Sequence, residues 1–159
     1  MTFVIGAILI LGLILLDQAI KQMVVAGMNV GDSFPIIKGF FNITSVRNTG
    51  AAWNLFDGQI IFFVIITVVS LGIFGYLFYK SDFRTKKLYS FSTSLILAGT
   101  IGNFIDRVFY PDHAVVDMFE FKFISFPVFN FADSCLVIGI ILFAIDLIFL
   151  EGKRKKNGQ

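Results

Sequence analysis

The stretch Ile60–Tyr79, IIFFVIITVVSLGIFGYLFY, runs for twenty positions without a charged side chain. A helix crossing the hydrocarbon core of a bilayer needs about 20 mostly apolar residues, and this stretch supplies them. Working outward, Leu88–Ile105 gives eighteen more uncharged positions, rich in Ser, Thr and Gly. Its Ser94, Ala98 and Gly102 recur every four residues, a stripe of small side chains suited to close helix contact. Ser134–Leu150 is interrupted only by Asp146. Phe3–Leu16 contributes fourteen apolar residues and becomes long enough if its helix continues through Lys21 toward Val25. The expectation is an all-α polytopic membrane protein with spans at about 3–25, 60–79, 88–105 and 134–150, and with outer connections at 27–59 and 106–133.

Composition agrees. Of 159 residues, 57% are apolar, 15% are charged and 21 are Phe, with a mean hydropathy of +0.84. Soluble domains sit near 45–50% apolar and about 25% charged. One cysteine excludes a disulfide-stapled scaffold, and a net charge of +2 is too small to suggest a nucleic-acid partner. A cleaved signal peptide is the competing reading of the first stretch. No Lys or Arg precedes Lys21, and no small-x-small cleavage site follows, which disfavours it.

The basic residues set the orientation. Lys80, Arg84, Lys86 and Lys87 link the second and third spans, and Lys153, Arg154, Lys155 and Lys156 form the tail, eight of the thirteen in all. The positive-inside rule makes that face, and with it both termini, cytoplasmic. The outer connections are amphiphilic. Residues 34–46 are β-branched and aromatic with a glycine break and read as short strands, and 115–129 mixes apolar residues with Asp117, Glu120 and Lys122.

Ionisable groups at membrane depth cost several kcal/mol and are rarely kept without use. Asp17 and Lys21 are four apart on one helix face and can pair, or merely mark the end of the first span. Asn103, Asp106 and Arg107 close the third span, where Asp106 can hold Arg107 or a donor from another chain, or serve helix packing. Arg47-Asn48-Thr49-Gly50-Ala51-Ala52-Trp53 reads as a tight turn before an interfacial aromatic. Asp117 and Asp133 lie at one membrane depth in apolar sequence, and capping or solvation is the plain alternative for each. Brought together, two carboxylates cannot both ionise comfortably and share one proton. The ionised one can then take a proton from water while its neighbour protonates a carbonyl oxygen, which hydrolyses an amide.

Other chemistries fit less well. Cys135 falls in apolar sequence and has only His113 as a conceivable base. A metal site on Asp112, His113, Asp117 and Glu120 lacks His-pair spacing. No phosphate loop, repeat or pair of matched halves is present.

In order along the chain, Asp17-Gln18-Ala19-Ile20-Lys21, Arg47 to Ala52, Gly102-Asn103-Phe104-Ile105-Asp106-Arg107, Val115-Val116-Asp117 and Phe126 to Ser134 resemble the motif set of the bacterial lipoprotein signal peptidases, signal peptidase II. The resemblance covers essentially the whole chain. It implies a membrane aspartic endopeptidase that removes signal peptides from diacylglyceryl-modified prolipoproteins, cutting before the lipidated cysteine. It implies catalytic roles for Asp117 and Asp133. Substrate contact or dyad support falls to Asn48, Gly50, Asn103, Asp106, Arg107 and Asn130, and a structural part to Asp17 and Lys21. The implied fold is four transmembrane helices with a small extracytoplasmic β-cradle and a short surface helix, in one domain over 1–159. The implied setting is the bacterial plasma membrane with the site near its outer leaflet. Prolipoproteins and membrane lipids are the implied partners, with no cofactor, metal or obligate protein partner. Ile20 stands where a Thr is common, and Met118 where Phe is usual. The alternative from a different class is a non-enzymatic membrane carrier or assembly factor.

Overall fold

The computed structural model of the chain describes residues 2–51, 53 and 55–156. In chain order it contains α1 (Thr2–Gly27), β1 (Ser33–Ile37), β2 (Phe41–Asn48), α2 (Ile60–Tyr79), α3 (Lys87–Phe109), β3 (Val115–Phe121), α4 (Phe131–Ile145), a π-helical turn (Asp146–Leu150) and α5 (Glu151–Lys156). Among the described residues, four helical stretches are long and apolar enough to cross a membrane, Phe3–Gly27, Ile60–Tyr79, Lys87–Phe109 and Phe131–Leu150.

The spans divide their work by burial. α3 packs against each of the other three and is mostly buried, whereas the other spans leave most of their apolar surface outward, as lipid contact requires. That central place explains the Ser and Thr content of α3. Ser92, Thr93, Ser94 and Thr100 donate their hydroxyls to backbone carbonyls three or four residues earlier, which satisfies them without a partner helix. Ser94, Ala98 and Gly102 are buried, so the small-residue stripe lies inside the bundle. A Cβ on Gly102 would stand 2.7 Å from Asp17 Oδ2, and one on Gly139 of α4 would stand 2.8 Å from Ile96. Only glycine lets these backbones approach so closely.

Three element boundaries move from the sequence expectation. α1 continues to Gly27, α3 runs on to Phe109, and α4 begins at Phe131, three residues before the expected start. The polar residues that suggested span ends have protein partners, so the helices carry on through them. At α4 a capping box fixes the start: Asn130 Oδ1 accepts from the Asp133 N–H, while an Asp133 oxygen accepts from the Asn130 N–H.

The strands form one antiparallel sheet in the order β1–β2–β3. In the β2–β3 register Val46 opposes Asp117 and Asn48 opposes Val115, so Asn48 lies diagonal to Asp117 on the same face. Beyond β3 the chain folds back, and the N–H groups of Met118 and Phe119 reach the Phe129 carbonyl at 3.1 and 2.7 Å. The rings of Phe119, Phe121, Phe126 and Phe129 pack on one another above this reversal. It brings Asn130 and the start of α4 beside Asp117. Between β2 and α2, residues 55–58 form turns, and Ala52 and Asn54 lie outside the described residues.

Candidate active site

β3 and the first turn of α4 deliver Asp117 and Asp133 to one cavity of about 640 Å³, which both residues line. Three asparagines hold the pair. Asn48 donates to Asp117 Oδ2 at 2.8 Å, and Asn130 donates to Asp117 Oδ1 at 2.7 Å. Asn103 donates to Asp133 Oδ1 at 2.7 Å, and the Asn130 N–H meets Asp133 Oδ2 at 3.1 Å. Asn130 therefore touches both carboxyl groups, and each of the four oxygens accepts a donor while keeping a second lone pair. Asp117 is 2% exposed. Burial first, and then the Asp133 carboxylate, push its pKa up from 3.8 to about 7, against the two amide donors that favour its charge.

The capping reading of Asp133 and its place at the cavity are not exclusive. The side chain serves the capping box of α4 through Oδ2 and faces Asn103 through Oδ1. The N-terminal end of α4 also favours a negative charge there.

Asp17 and Lys21 do not mark a span end. They are 1% and 0% exposed, and Lys21 Nζ lies 2.9 Å from both Asp17 and Asp106. Asp17 also accepts the Ala132 N–H at 2.9 Å, which ties α1 to the beginning of α4. Asp106 accepts from Lys21, from Gln18 at 2.9 Å and from the Val116 N–H at 3.1 Å, so it joins α1 and β3 and does not hold Arg107. Arg107 instead donates to the Gly50 carbonyl at 3.1 Å and lies over the Phe63 ring at 4.4 Å. Its Nε is buried with no hydrogen-bond partner. Gly50 gives its N–H to Asn48 Oδ1 at 3.0 Å, which fixes the amide that faces Asp117. All ten candidate residues thus belong to one connected arrangement, with the Asp117 and Asp133 carboxyl groups at the cavity and the rest around them. Cys135 is buried but does not line the cavity, and His113 is engaged with the Arg107 carbonyl at 2.8 Å.

Sequence reasoning passed over several residues. Gln18 bridges Asp17, the Gly102 carbonyl and Asp106, and its only signal was its place beside Asp17. Thr67 and Ser70 line the cavity from α2. They are the only aliphatic hydroxyl residues in that span, three apart, and so share one helix face. From α4, Leu136, Val137 and Ile138 line the same cavity, which thereby extends as a largely apolar cleft between two spans.

The family model for signal peptidase (SPase) II matches residues 9–149. The chain is 44% identical over 141 residues to a lipoprotein signal peptidase of Lactiplantibacillus plantarum, covering 89% of this chain and 92% of that one. It is 46% identical over 148 residues to the lipoprotein signal peptidase of Bacillus pumilus, covering 91% and 92%. Among solved structures, a bacterial membrane enzyme determined by the in meso method at 2.3 Å aligns with a TM-score of 0.82 at 39% identity, over 97% of this chain and 91% of that one.

Proposed function

The chain belongs to the signal peptidase II family, and from that premise we propose that it removes signal peptides from prolipoproteins by aspartic catalysis at Asp117 and Asp133. The single observation that carries the catalytic assignment is Asn130, which donates to Asp117 through its side chain and to Asp133 through its backbone. A carrier or assembly factor has no such requirement for two amide-clamped carboxyl groups at one cavity, and family membership does not favour that alternative.

In the proposed reaction Asp117 carries the shared proton and Asp133 is ionised. Asp133 takes a proton from a water whose oxygen attacks the scissile carbonyl carbon, while Asp117 gives its proton to the carbonyl oxygen. The tetrahedral intermediate collapses as the C–N bond breaks. Asp133 protonates the leaving amine, and Asp117 recovers a proton from the intermediate's hydroxyl, so the pair returns to its starting state. Arg107 lines the cavity, and its guanidinium is suited to a substrate carbonyl. No step needs a metal or cofactor.

The diacylglyceryl group of the substrate fits the apolar cleft between α2 and α4, where it supplies binding energy away from the scissile bond. The small sheet acts as an outer cradle. The basic residues of the α2–α3 link and the tail favour cytoplasmic termini, which puts the dyad near the outer leaflet of a bacterial plasma membrane. The reading is of one integral membrane peptidase domain that works on lipid-modified prolipoproteins without an obligate partner protein.

Purified protein incubated in detergent with a diacylglyceryl-modified precursor tests this directly. Asp117→Asn and Asp133→Asn should each lower cleavage at least 10³-fold while leaving the protein folded, on the scale by which removal of a core catalytic group acts. Full activity in either variant would overturn the dyad.

A further inference from the structure

Three asparagine amides face the two carboxyl groups, and each is useful only with its NH2 side, not its oxygen, turned toward the carboxylate. Two of these flip states are fixed by the backbone. Asn48 Oδ1 accepts the Gly50 N–H at 3.0 Å, and Asn130 Oδ1 accepts the Asp133 N–H at 2.8 Å. A backbone N–H can only donate, so neither amide can turn over without setting donor against donor. Asn103 has no backbone lock of this kind among its hydrogen bonds. Its Oδ1 accepts from Lys21 Nζ at 3.0 Å and from the Asn130 amide at 3.0 Å. An ammonium also can only donate, and Asn130 is itself locked.

Resting on the dyad reading above, we propose that Lys21 is a positioning residue for the hydrolysis, its ammonium holding Asn103 in the one flip state that aims an amide donor at Asp133. Turned over, Asn103 would present its NH2 group to two donors, the ammonium and the Asn130 amide, and its oxygen to the carboxylate, three unfavourable contacts in a buried site. The groups that face Lys21 are the carboxylates of Asp17 and Asp106 at 2.9 Å each, the Gly102 carbonyl at 3.5 Å and Asn103. The charge of the ammonium reaches the dyad as well, offset in part by Asp17, so its directional hydrogen bond is separated from its charge by comparing two uncharged replacements. A merely structural Lys21 would clamp α1 to α3 and leave turnover per folded molecule untouched.

Replacing Lys21 alone would strand two buried carboxylates, so the test uses Asp17→Asn/Asp106→Asn as its background. Asparagine keeps an acceptor for the Ala132 and Val116 N–H groups that these carboxylates now serve. In that background, Lys21→Gln retains a donor for Asn103 and Lys21→Met removes it. With the diacylglyceryl-modified precursor, and with kcat expressed per folded molecule from gel filtration and circular dichroism, Lys21→Gln should stay within about threefold of the background. Lys21→Met should lose about 10–100-fold, below the 10²–10³ of a donor that touches the reacting oxygen, with KM within twofold in both. Equal kcat in the two variants, whether high or low, overturns the proposal. Should the background itself fail to fold or turn over, the unsubstituted protein labelled with 15N-asparagine decides. Asn103 amide protons that are protected from exchange and shift as the pair of carboxyl groups titrates support it, and freely exchanging ones overturn it. Asp117→Asn in the otherwise unsubstituted chain is the separate control, since activity there sinks the dyad and says nothing of Lys21.

Discussion

The side-chain amide of Asn130 meets the Asp117 carboxylate at 2.7 Å, and the same residue is the N-cap of α4. One asparagine thus starts a membrane helix and orients the carboxyl group proposed to react. Asn130→Ala should remove both functions. Loss of the cap costs about 1 kcal/mol, within the 0.5–2 range for such substitutions. Loss of the donor to Asp117 should lower kcat by about 10²-fold, the scale for one preorganised donor at a reacting centre. Thermal unfolding in detergent reads the first effect and steady-state cleavage the second. A drop in stability with unchanged kcat would show that the amide only caps.

The raised pKa of Asp117, about 7, gives a signed pH dependence. kcat/KM should fall as pH rises through about 7, because the free enzyme then loses the proton that Asp117 is proposed to donate. Asn48 favours the ionised form through its 2.8 Å donor, so Asn48→Ala should shift this limb to higher pH. Stability follows the same group. The folded state binds this proton more tightly than the unfolded chain, so stability declines as pH rises from about 4 to about 7 and levels off above. Asp117→Asn, which carries no proton in that window, should lack this decline. The measurement is the melting temperature of both proteins at intervals from pH 4 to 8, and parallel curves would contradict the assignment.

Close helix approach at Gly102 yields a packing test. A Cβ there would lie 2.7 Å from Asp17 Oδ2 and 3.2 Å from the Ala132 Cβ, so Gly102→Ala must push α1 from the start of α4. Overpacking of this kind costs about 1–3 kcal/mol. Gly12→Ala in α1, where a new Cβ meets nothing within 4 Å, should leave the melting temperature unchanged or slightly higher. Equal effects of the two substitutions would deny the contact.

How much was legible beforehand follows from which interactions are local. Ile60–Tyr79 coincides with α2 because twenty apolar residues in lipid have no option but to satisfy their backbone internally. Asp117 and Asp133 stood out because a carboxyl group in apolar sequence needs a reason. The partner of Asp106 did not. Arg107 is its neighbour in sequence, but consecutive residues on a helix do not face one another. The partners come instead from α1 and β3, through a packing that no spacing rule states. The start of α4 was misplaced for a related reason. Asp133 suggested a cap at the helix start, whereas it occupies the third helical position and Asn130 is the cap. Gln18 was unreadable, since an uncharged amide inside a span looks like tolerated polarity until the groups it bridges are seen.

Entry of the lipid group can be tested on α2. Ser70 and Thr67 line the cavity together with Val137 and Ile138 of α4, and none of the asparagines or aspartates of the centre hydrogen-bonds to either hydroxyl. Ser70→Leu adds bulk and removes a hydroxyl where the diacylglyceryl chains are proposed to lie, while leaving the clamped dyad as it is. The expected result is a KM for the diacylglyceryl-modified precursor raised about tenfold with kcat within twofold, the pattern of a lost uniform binding interaction. Tenfold corresponds to about 1.4 kcal/mol, comparable to the burial of roughly two methylene groups. Cleavage of the same precursor with shortened acyl chains should be less affected, because shorter chains reach less of the narrowed cleft. An equal rise in KM for both precursors would place the acyl chains elsewhere, and a fall in kcat alone would mean that α2 acts on the dyad and not on the lipid.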